Sequence, residues 1–195
     1  MQRNLFITSF ATPEYAQGLT LLQGDCERLG MMLNSLHVEA MPSWHEATHF
    51  KASFIASCMA NISTLPIDAL VWIDADARLR TFPRLLFEID PSEYAMAYHR
   101  FRGREALSGT VWLANSDFGR RIASAWVAQN SRRPRQIEQR NMEIAAARVD
   151  GARILDLPPE YCWIYDLSRK HYPDAPDPVI EHFQWSRRTR RRKEA

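Results

Sequence analysis

The segment at residues 69–76 places the tightest constraint on what this 195-residue chain can fold into. Five apolar residues, Ala69–Ile73, end abruptly at Asp74, Ala75 and Asp76. A short unbroken apolar run with Val, Trp and Ile is typical of a strand that is buried on both faces. Such strands lie at the centre of parallel sheets in α/β domains, and ligands bind beyond their carboxyl ends. The segment therefore predicts a central strand that ends in a ligand site.

Asp74 and Asp76 are the first candidate site residues. If the chain stays extended there, side chains two positions apart point the same way and lie roughly 7 Å or less apart. Two carboxylates that close repel each other unless a cation lies between them, and hard oxygen ligands suit Mg²⁺ or Mn²⁺. The alternative is a pair of turn or helix-cap aspartates, which are common where strands end. The dipeptide spacing alone leaves both interpretations open.

Composition predicts one globular domain. The chain is 46% hydrophobic and 25% charged, which is ordinary for a soluble protein of one domain. No apolar run reaches the ~18 residues of a membrane span, and the first residues lead into a strand-like run without a signal peptide. Three widely spaced cysteines form no zinc or disulfide pattern, which favours a reducing, cytoplasmic location.

The net charge of +2 is unevenly distributed, because residues 187–193 alone carry six positive charges. We therefore divide the chain into a domain at 1–186 and a basic tail at 187–195. The tail has two interpretations. It is either a solvated end without a partner, or a segment that binds the phosphates of a nucleic acid or an anionic membrane surface.

Strand and helix signals alternate along the domain. Strands are expected at 5–9, 31–41, 69–73, 94–98, 109–114 and 152–157, with a last short strand at 179–180 that leads into Glu181 and His182. Helices are expected at 12–29, 43–61, 82–89, 115–130 and 137–149, and the charged stretch 100–108 is expected as a loop. This alternation predicts a single-domain α/β/α sandwich, Rossmann-like, with a mostly parallel central sheet.

Several short motifs, in their order along the chain, resemble the GT-A fold glycosyltransferases of the nucleotide-diphospho-sugar transferase superfamily. The motifs are the first strand Leu-Phe-Ile-Thr-Ser with Tyr15 nearby, Lys51 on the second long helix, Val-Trp-Ile-Asp-Ala-Asp, Ser108-Gly109-Thr-Val-Trp-Leu-Ala-Asn115, Ile-Glu138-Gln, Leu-Pro-Pro-Glu-Tyr at 157–161, and Val-Ile-Glu-His182-Phe. The Asp-Ala-Asp element resembles the metal-binding Asp-x-Asp motif of that family.

The resemblance implies a role for each matching residue. Asp74 and Asp76, completed by His182, would hold Mn²⁺ or Mg²⁺, with Asp74 alternatively on the ribose. The donor, a UDP- or GDP-sugar, would be bound by Asp74 and by six other residues: Thr8, Ser9, Lys51, Ser108, Gly109 and Asn115. Glu138 would be the catalytic carboxylate, although many relatives carry an aspartate there. The implied activity is metal-dependent transfer of a sugar to an acceptor hydroxyl.

Three other functions remain as alternatives. The basic tail is compatible with a phage-type transferase that glycosylates a modified DNA base, with nucleic acid as the acceptor. The segment His45-Glu46-Ala-Thr-His49 matches the His-Glu-x-x-His pattern of zinc metalloproteases. Against a protease, Glu46 is already explained as the capping-box partner of Ser43. The last alternative is a non-catalytic module that only binds nucleotide, which the intact acid pair disfavours.

Overall fold

The computed structural model describes residues 3–185, so the basic tail lies outside the described residues. Within that range the α helices are α1 (Ala16–Arg28), α2 (Trp44–Asn61), α3 (Asp117–Arg132), α4 (Glu138–Ala147) and α5 (Ser168–His171). The strands are β1 (Leu5–Ala11), β2 (Leu33–His37), β3 (Ala69–Ile73), β4 (Ala77–Leu79), β5 (Met96–Phe101), β6 (Glu105–Ala114), β7 (Ile154–Asp156), β8 (Trp163–Ile164) and β9 (Ile180–His182). No helix in this range is long and apolar enough to cross a bilayer.

The main sheet has six strands in the order β2-β1-β3-β6-β5-β7. β1 pairs in parallel with β2 and β3, and β5 pairs in parallel with β7. β6 pairs antiparallel with both of its neighbours, β3 and β5. The sheet is therefore mostly parallel, as predicted, with β6 running against the other five strands.

β3 lies in the middle of this sheet and is buried on both faces, as its apolar sequence predicts. All five of its residues are at most 2% exposed. Leu70 and Trp72 belong to a core beneath α2, α3 and α4, whereas Val71 and Ile73 belong to the core on the opposite face, beside α1. Helices thus cover both faces of the sheet, which confirms the α/β/α sandwich.

A second, three-stranded sheet begins directly after the acid pair. β4 pairs antiparallel with β9, and Ala77 lies opposite His182 in that register. β8 continues the sheet on the other side of β9. This small sheet brings a histidine more than one hundred residues away in sequence to the carboxyl end of β3.

Two helix starts follow the predicted capping chemistry. Ser43 accepts a hydrogen bond from the backbone N–H of Glu46 at the start of α2, and Ser116 accepts one from Gly119 at the start of α3. The expected start of the first helix at Thr12 is instead a 3-10 helix, Pro13–Tyr15, before α1.

The prediction of a loop at residues 100–108 is wrong. β5 extends to Phe101 and β6 starts at Glu105, so only a tight turn at residues 102–104 separates them. The charged residues obscured the strands because the turn at residues 102–104 and Glu105 are exposed, although Phe101, Ala106 and Leu107 beside them are buried.

Gly18 and Gly24, both on α1, provide a matched test of how the fold supports the acid turn. A Cβ added at Gly18 would lie 2.5 Å from the carbonyl oxygen of Ala75, between the two aspartates, whereas nothing lies within 4 Å of one at Gly24. We expect Gly24→Ala to raise the free energy of unfolding by about 0.5–1 kcal/mol through helix propensity. Gly18→Ala should lower it, because helix and turn must separate. Urea unfolding measures both, and equal stabilisation by the two substitutions would contradict this packing.

Candidate functional site

The acid pair lies in a turn rather than in the extended chain that the sequence predicted. The backbone N–H of Asp74 donates to the carbonyl of Gly109 (2.8 Å), and that of Ala77 donates back to the carbonyl of Asp74 (3.0 Å). The turn nevertheless brings the carboxylates of Asp74 and Asp76 close together. Ligand atoms of Asp74, Asp76 and His182 all lie within 4.8 Å of one another. Three side chains predicted as metal ligands are therefore close enough to share one ion.

His182 is buried with one ring nitrogen engaged and the other unpaired. Its Nε2 lies 2.9 Å from Thr110 Oγ1, while its Nδ1 is buried without a hydrogen-bond partner among the described residues. Burial lowers the pKa of His182 to about 4, so the imidazole is neutral near pH 7. A neutral imidazole whose Nε2–H donates to Thr110 presents the lone pair of Nδ1 to a cation.

Gly109 makes room for that ring. A Cβ at position 109 would lie 2.8 Å from His182 Cε1 and 2.9 Å from Nδ1. Because any larger residue would displace the imidazole, this glycine fixes the position of the histidine beside the acid turn.

The two aspartates repel each other in the absence of a cation. Burial, and then the neighbouring carboxylate of Asp74, raise the pKa of Asp76 to about 6. Asp76 Oδ2 accepts a hydrogen bond from the backbone N–H of Trp185 (2.9 Å), and Asp74 Oδ1 accepts one from the indole of Trp72 (2.7 Å). These contacts orient the carboxylates without neutralising them.

Lys51, on α2, supplies the one buried positive charge that contacts Asp74 in the described part of the chain. Its Nζ lies 2.8 Å from Asp74 Oδ1 and 3.8 Å from Glu138 Oε2, and donates to the carbonyl and the hydroxyl of Ser108 (both 3.2 Å). Burial opposes the charged form, but the carboxylates of Asp74 and Glu138 outweigh it and raise the pKa of Lys51. The ammonium is therefore a fixed part of the site.

Glu138 begins α4 and is only 3% exposed. Its Oε2 accepts a hydrogen bond from Ser108 Oγ (2.8 Å), whereas Oε1 is buried without a partner among the described residues. Burial raises the pKa of Glu138 to about 7 against the opposing effects of Lys51 and Ser108. The site thus holds a carboxyl group with an unpaired oxygen and a pKa suited to proton transfer near neutral pH.

These groups line a cleft of about 340 Å³ between the end of β3 and the starts of α2 and α4. Of the residues predicted from the sequence, the cleft is lined by Lys51, Asp74, Asp76, Ser108, Gly109, Glu138 and His182. The cleft is also lined by residues to which the sequence motifs assign no role, namely Thr12, Trp44, Thr48, Gln139, Gln184 and Tyr15. Thr12, Trp44, Thr48 and Gln139 could have been predicted from their positions near the end of a strand or the start of a helix.

Thr8 and Ser9 do not reach this cleft. β1 continues beyond the predicted end to Ala11, so both residues lie within the strand. Thr8 Oγ1 donates to the carbonyl of Asn34 (2.7 Å) in β2. The residues that line the cleft at this strand end are instead Ala11 and Thr12.

Asn115 lies at the opposite edge of the sheet. Because β6 is antiparallel to β3, its carboxyl end meets the start of β3 rather than Asp74. The Asn115 amide donates to the carbonyls of Ile62 (2.9 Å) and Ile67 (3.0 Å). Its predicted role beside the sugar is replaced by a structural one.

The protease pattern at the start of α2 does not form a zinc site. The Nε2 atoms of His45 and His49 contact the carbonyls of Pro134 and Gln136 in the α3–α4 connection. Glu46 is held by Ser43: its backbone N–H donates to Ser43 Oγ, as the capping box predicts, whereas its carboxylate accepts from the Ser43 hydroxyl instead of the Ser43 backbone N–H. These histidines attach the connection to α2.

Comparison with known proteins identifies the fold. No family model and no curated protein matches the sequence. A glycosyltransferase involved in the glycosylation of the major capsid of PBCV-1 superposes with a TM-score of 0.69 at 19% identity, covering 97% of this chain and 98% of its own. The glycosyltransferase GlyE of Streptococcus pneumoniae TIGR4 superposes with a TM-score of 0.65 at 14% identity over 94% of this chain, which spans 55% of GlyE.

The bifunctional glycosyltransferase WbbM superposes with a TM-score of 0.60 at 10% identity over 94% of this chain, which spans 46% of WbbM. The chain thus spans about half the length of the GlyE and WbbM chains. At these identities the similarity shows the fold, and it confirms the GT-A-like glycosyltransferase fold expected from the motifs.

The raised pKa of Glu138 predicts a pH dependence of stability. Between pH 4.5, the ordinary pKa of a glutamic acid side chain, and about pH 7, the folded state retains a proton that the unfolded state releases, so stability falls as pH rises. We expect Glu138→Gln to remove this loss of stability. The free energy of unfolding of the variant, taken relative to wild type, should therefore rise by on the order of 1–3 kcal/mol from pH 5 to pH 8. Urea unfolding at the two pH values, without added metal, measures the difference. Parallel pH profiles would contradict the buried carboxyl described here.

Proposed function

We propose that this protein is a metal-dependent glycosyltransferase that moves a sugar from a nucleotide-diphospho-sugar donor to an acceptor hydroxyl. The observation that carries the proposal is the cluster of Asp74, Asp76 and His182 at the carboxyl end of β3, inside the cleft. In α/β sheets this is the edge where ligands bind. The fold shared with several glycosyltransferases supports the reaction class.

The residues present suit Mn²⁺ or Mg²⁺. Two adjacent carboxylates, one with a raised pKa, gain from a divalent cation that removes their mutual repulsion. The buried, unpaired Nδ1 of neutral His182 is a third ligand, and one imidazole among oxygen ligands favours Mn²⁺ over Ca²⁺. When bound, such an ion neutralises the diphosphate oxygens of the donor and stabilises the departing nucleoside diphosphate.

The protein's own residues set the geometry around that ion. Lys51 and the indole of Trp72 both contact Oδ1 of Asp74. Oδ2 of Asp74 makes neither of these contacts. Ser108 and Gly109 lie on β6 beside the acid turn, where the donor sugar would fit. Thr12, directly after β1, and Tyr15, in the 3-10 helix that follows, line the side of the cleft where the nucleotide would bind.

Glu138 is the candidate base. Its unpaired Oε1 would accept the hydrogen bond, and then the proton, of the acceptor hydroxyl as that oxygen attacks the sugar. Ser108 holds the other carboxylate oxygen, which fixes the orientation of the group. A base held in this way adds to the rate mainly through positioning.

Asp76→Asn tests the proposal because it should change stability and ligand binding in opposite directions. The substitution removes a charge that burial and Asp74 disfavour, so the protein without ligand should become more stable. The rise in Tm caused by Mn²⁺ together with UDP or GDP should disappear, since a ligand at 100 times its Kd stabilises by about 2.7 kcal/mol.

Thermal unfolding with and without Mn²⁺ and each nucleotide measures both effects. Asp177→Asn, at a carboxylate whose side chain is 99% exposed, is the matched control and should retain the full ligand-linked shift. A shift that survives in Asp76→Asn, or that occurs in wild type equally well without metal, would refute the metal-diphosphate site.

A further inference from the structure

Two exposed basic turns adjoin the cleft beside the start of α4. The α3–α4 connection carries Arg133 and Arg135, and the β5–β6 turn carries Arg102 and Arg104. All four residues are exposed. We refer to these four residues as the arginine rim.

Hydrogen bonds attach both turns to the cleft. Gln139, at the start of α4, donates to Glu105 Oε1 (2.7 Å) at the start of β6, and both side chains line the cleft. The carbonyl of Gln136 lies 3.0 Å from His49 Nε2, which ties the α3–α4 connection to α2. Arg104 directly precedes the cleft-lining Glu105, and Arg135 lies two residues before the cleft-lining Ile137, so the rim flanks the residues at this end of the cleft.

Within the described residues, no carboxylate forms an ion pair with the rim. No carboxylate within residues 3–185 lies within 4.0 Å of any of its four guanidinium groups. The nearest acids in sequence have other roles. Glu105 accepts from Gln139, and Glu138 is buried with Ser108. The rim therefore offers positive charge to an anion bound beside the cleft-lining residues Glu105 and Ile137.

Arg102 is held in a backbone conformation that arginine rarely adopts. Its φ is 56° and that of Gly103 is 67°, and the N–H of Arg104 donates to the carbonyl of Phe101 (3.1 Å). This is the pattern of a type I′ turn, where Asn-Gly is the favoured sequence. The backbone alone gives no reason for arginine here, and such outliers concentrate at functional sites. The positive charge is what an asparagine would lack.

We propose that the acceptor is an anionic glycan, a sugar chain that carries phosphate, sulfate or carboxylate groups near the accepting hydroxyl, and that the arginine rim binds those groups. The inference rests on the proposed function, because the rim borders the same cleft. The planar guanidinium fork binds such anions through paired hydrogen bonds. Trp44 and Ile137, 39% and 56% exposed in the same cleft, offer apolar faces for a sugar ring.

Binding of three defined probes tests this inference. The probes are a heparin-derived pentasaccharide, neutral maltopentaose and the oligonucleotide dT5, each titrated calorimetrically into full-length protein with Mn²⁺ and the nucleoside diphosphate that stabilises it. We expect the heparin fragment to bind, with an affinity that falls as salt rises, because exposed charges are screened. Binding of maltopentaose with equal affinity, or tighter binding of dT5, would overturn the inference.

Substitutions locate the binding. Arg133→Gln combined with Arg135→Gln should weaken heparin-fragment binding by roughly tenfold or more, as expected when two charge-assisted contacts are lost. Arg102→Asn should weaken it several-fold while raising Tm, since asparagine suits the turn better. A merely structural arginine would not separate affinity from stability in this way.

Arg121→Gln is the matched control, because Arg121 is an exposed arginine of α3 that lies twelve positions before Arg133, roughly 18 Å along the helix from the α3–α4 connection. It should leave affinity for the heparin fragment unchanged. Equal effects of the control and rim substitutions would overturn the assignment to the rim. The Tm shift caused by Mn²⁺ and nucleotide should persist in the rim variants and in Arg121→Gln. If wild type shows no such shift, the proposed function fails; if the shift is present but the heparin fragment does not bind, the inference about the rim fails.

Discussion

The negative charge of two half-buried aspartates at the end of β3 is the constraint on which the rest of the site depends. Asp74 and Asp76 lie close together, and burial with mutual repulsion raises the pKa of Asp76 to about 6. The ammonium of Lys51 offsets part of this charge, because its Nζ lies 2.8 Å from Asp74 Oδ1. The same Nζ also lies 3.8 Å from the carboxylate of Glu138. One ammonium therefore faces three carboxyl groups, and a divalent cation would complete the balance.

The fold maintains this unfavourable arrangement through close packing around the turn. Gly18 lets α1 approach the carbonyl of Ala75, and Gly109 lets the ring of His182 lie against β6. The small sheet of β4, β8 and β9 fixes His182 opposite Ala77. A site built on rigid strands and a packed helix keeps its ligands in place before any ligand arrives, which lowers the cost of binding.

Local patterns allowed much of the fold, and part of the site, to be predicted. The apolar run of β3 indicated a strand buried on both faces, and Ser43 indicated the start of α2. The reversed direction of β6 was not visible, because the direction in which a strand pairs depends on residues distant in sequence. That reversal places Asn115 at the far edge, and the extension of β1 removes Thr8 and Ser9 from the cleft.

Manganese electron spin echo spectroscopy tests the central claim most directly, because it reports the atoms bound to the ion without requiring turnover. With Mn²⁺ and the stabilising nucleoside diphosphate, we expect coupling to one directly bound imidazole nitrogen and to phosphorus. The nitrogen coupling should vanish in His182→Gln and persist in His99→Gln, a substitution at a buried histidine that does not line the cleft. Spectra of wild type that lack nitrogen coupling, or that keep it in His182→Gln, would contradict the proposed metal site.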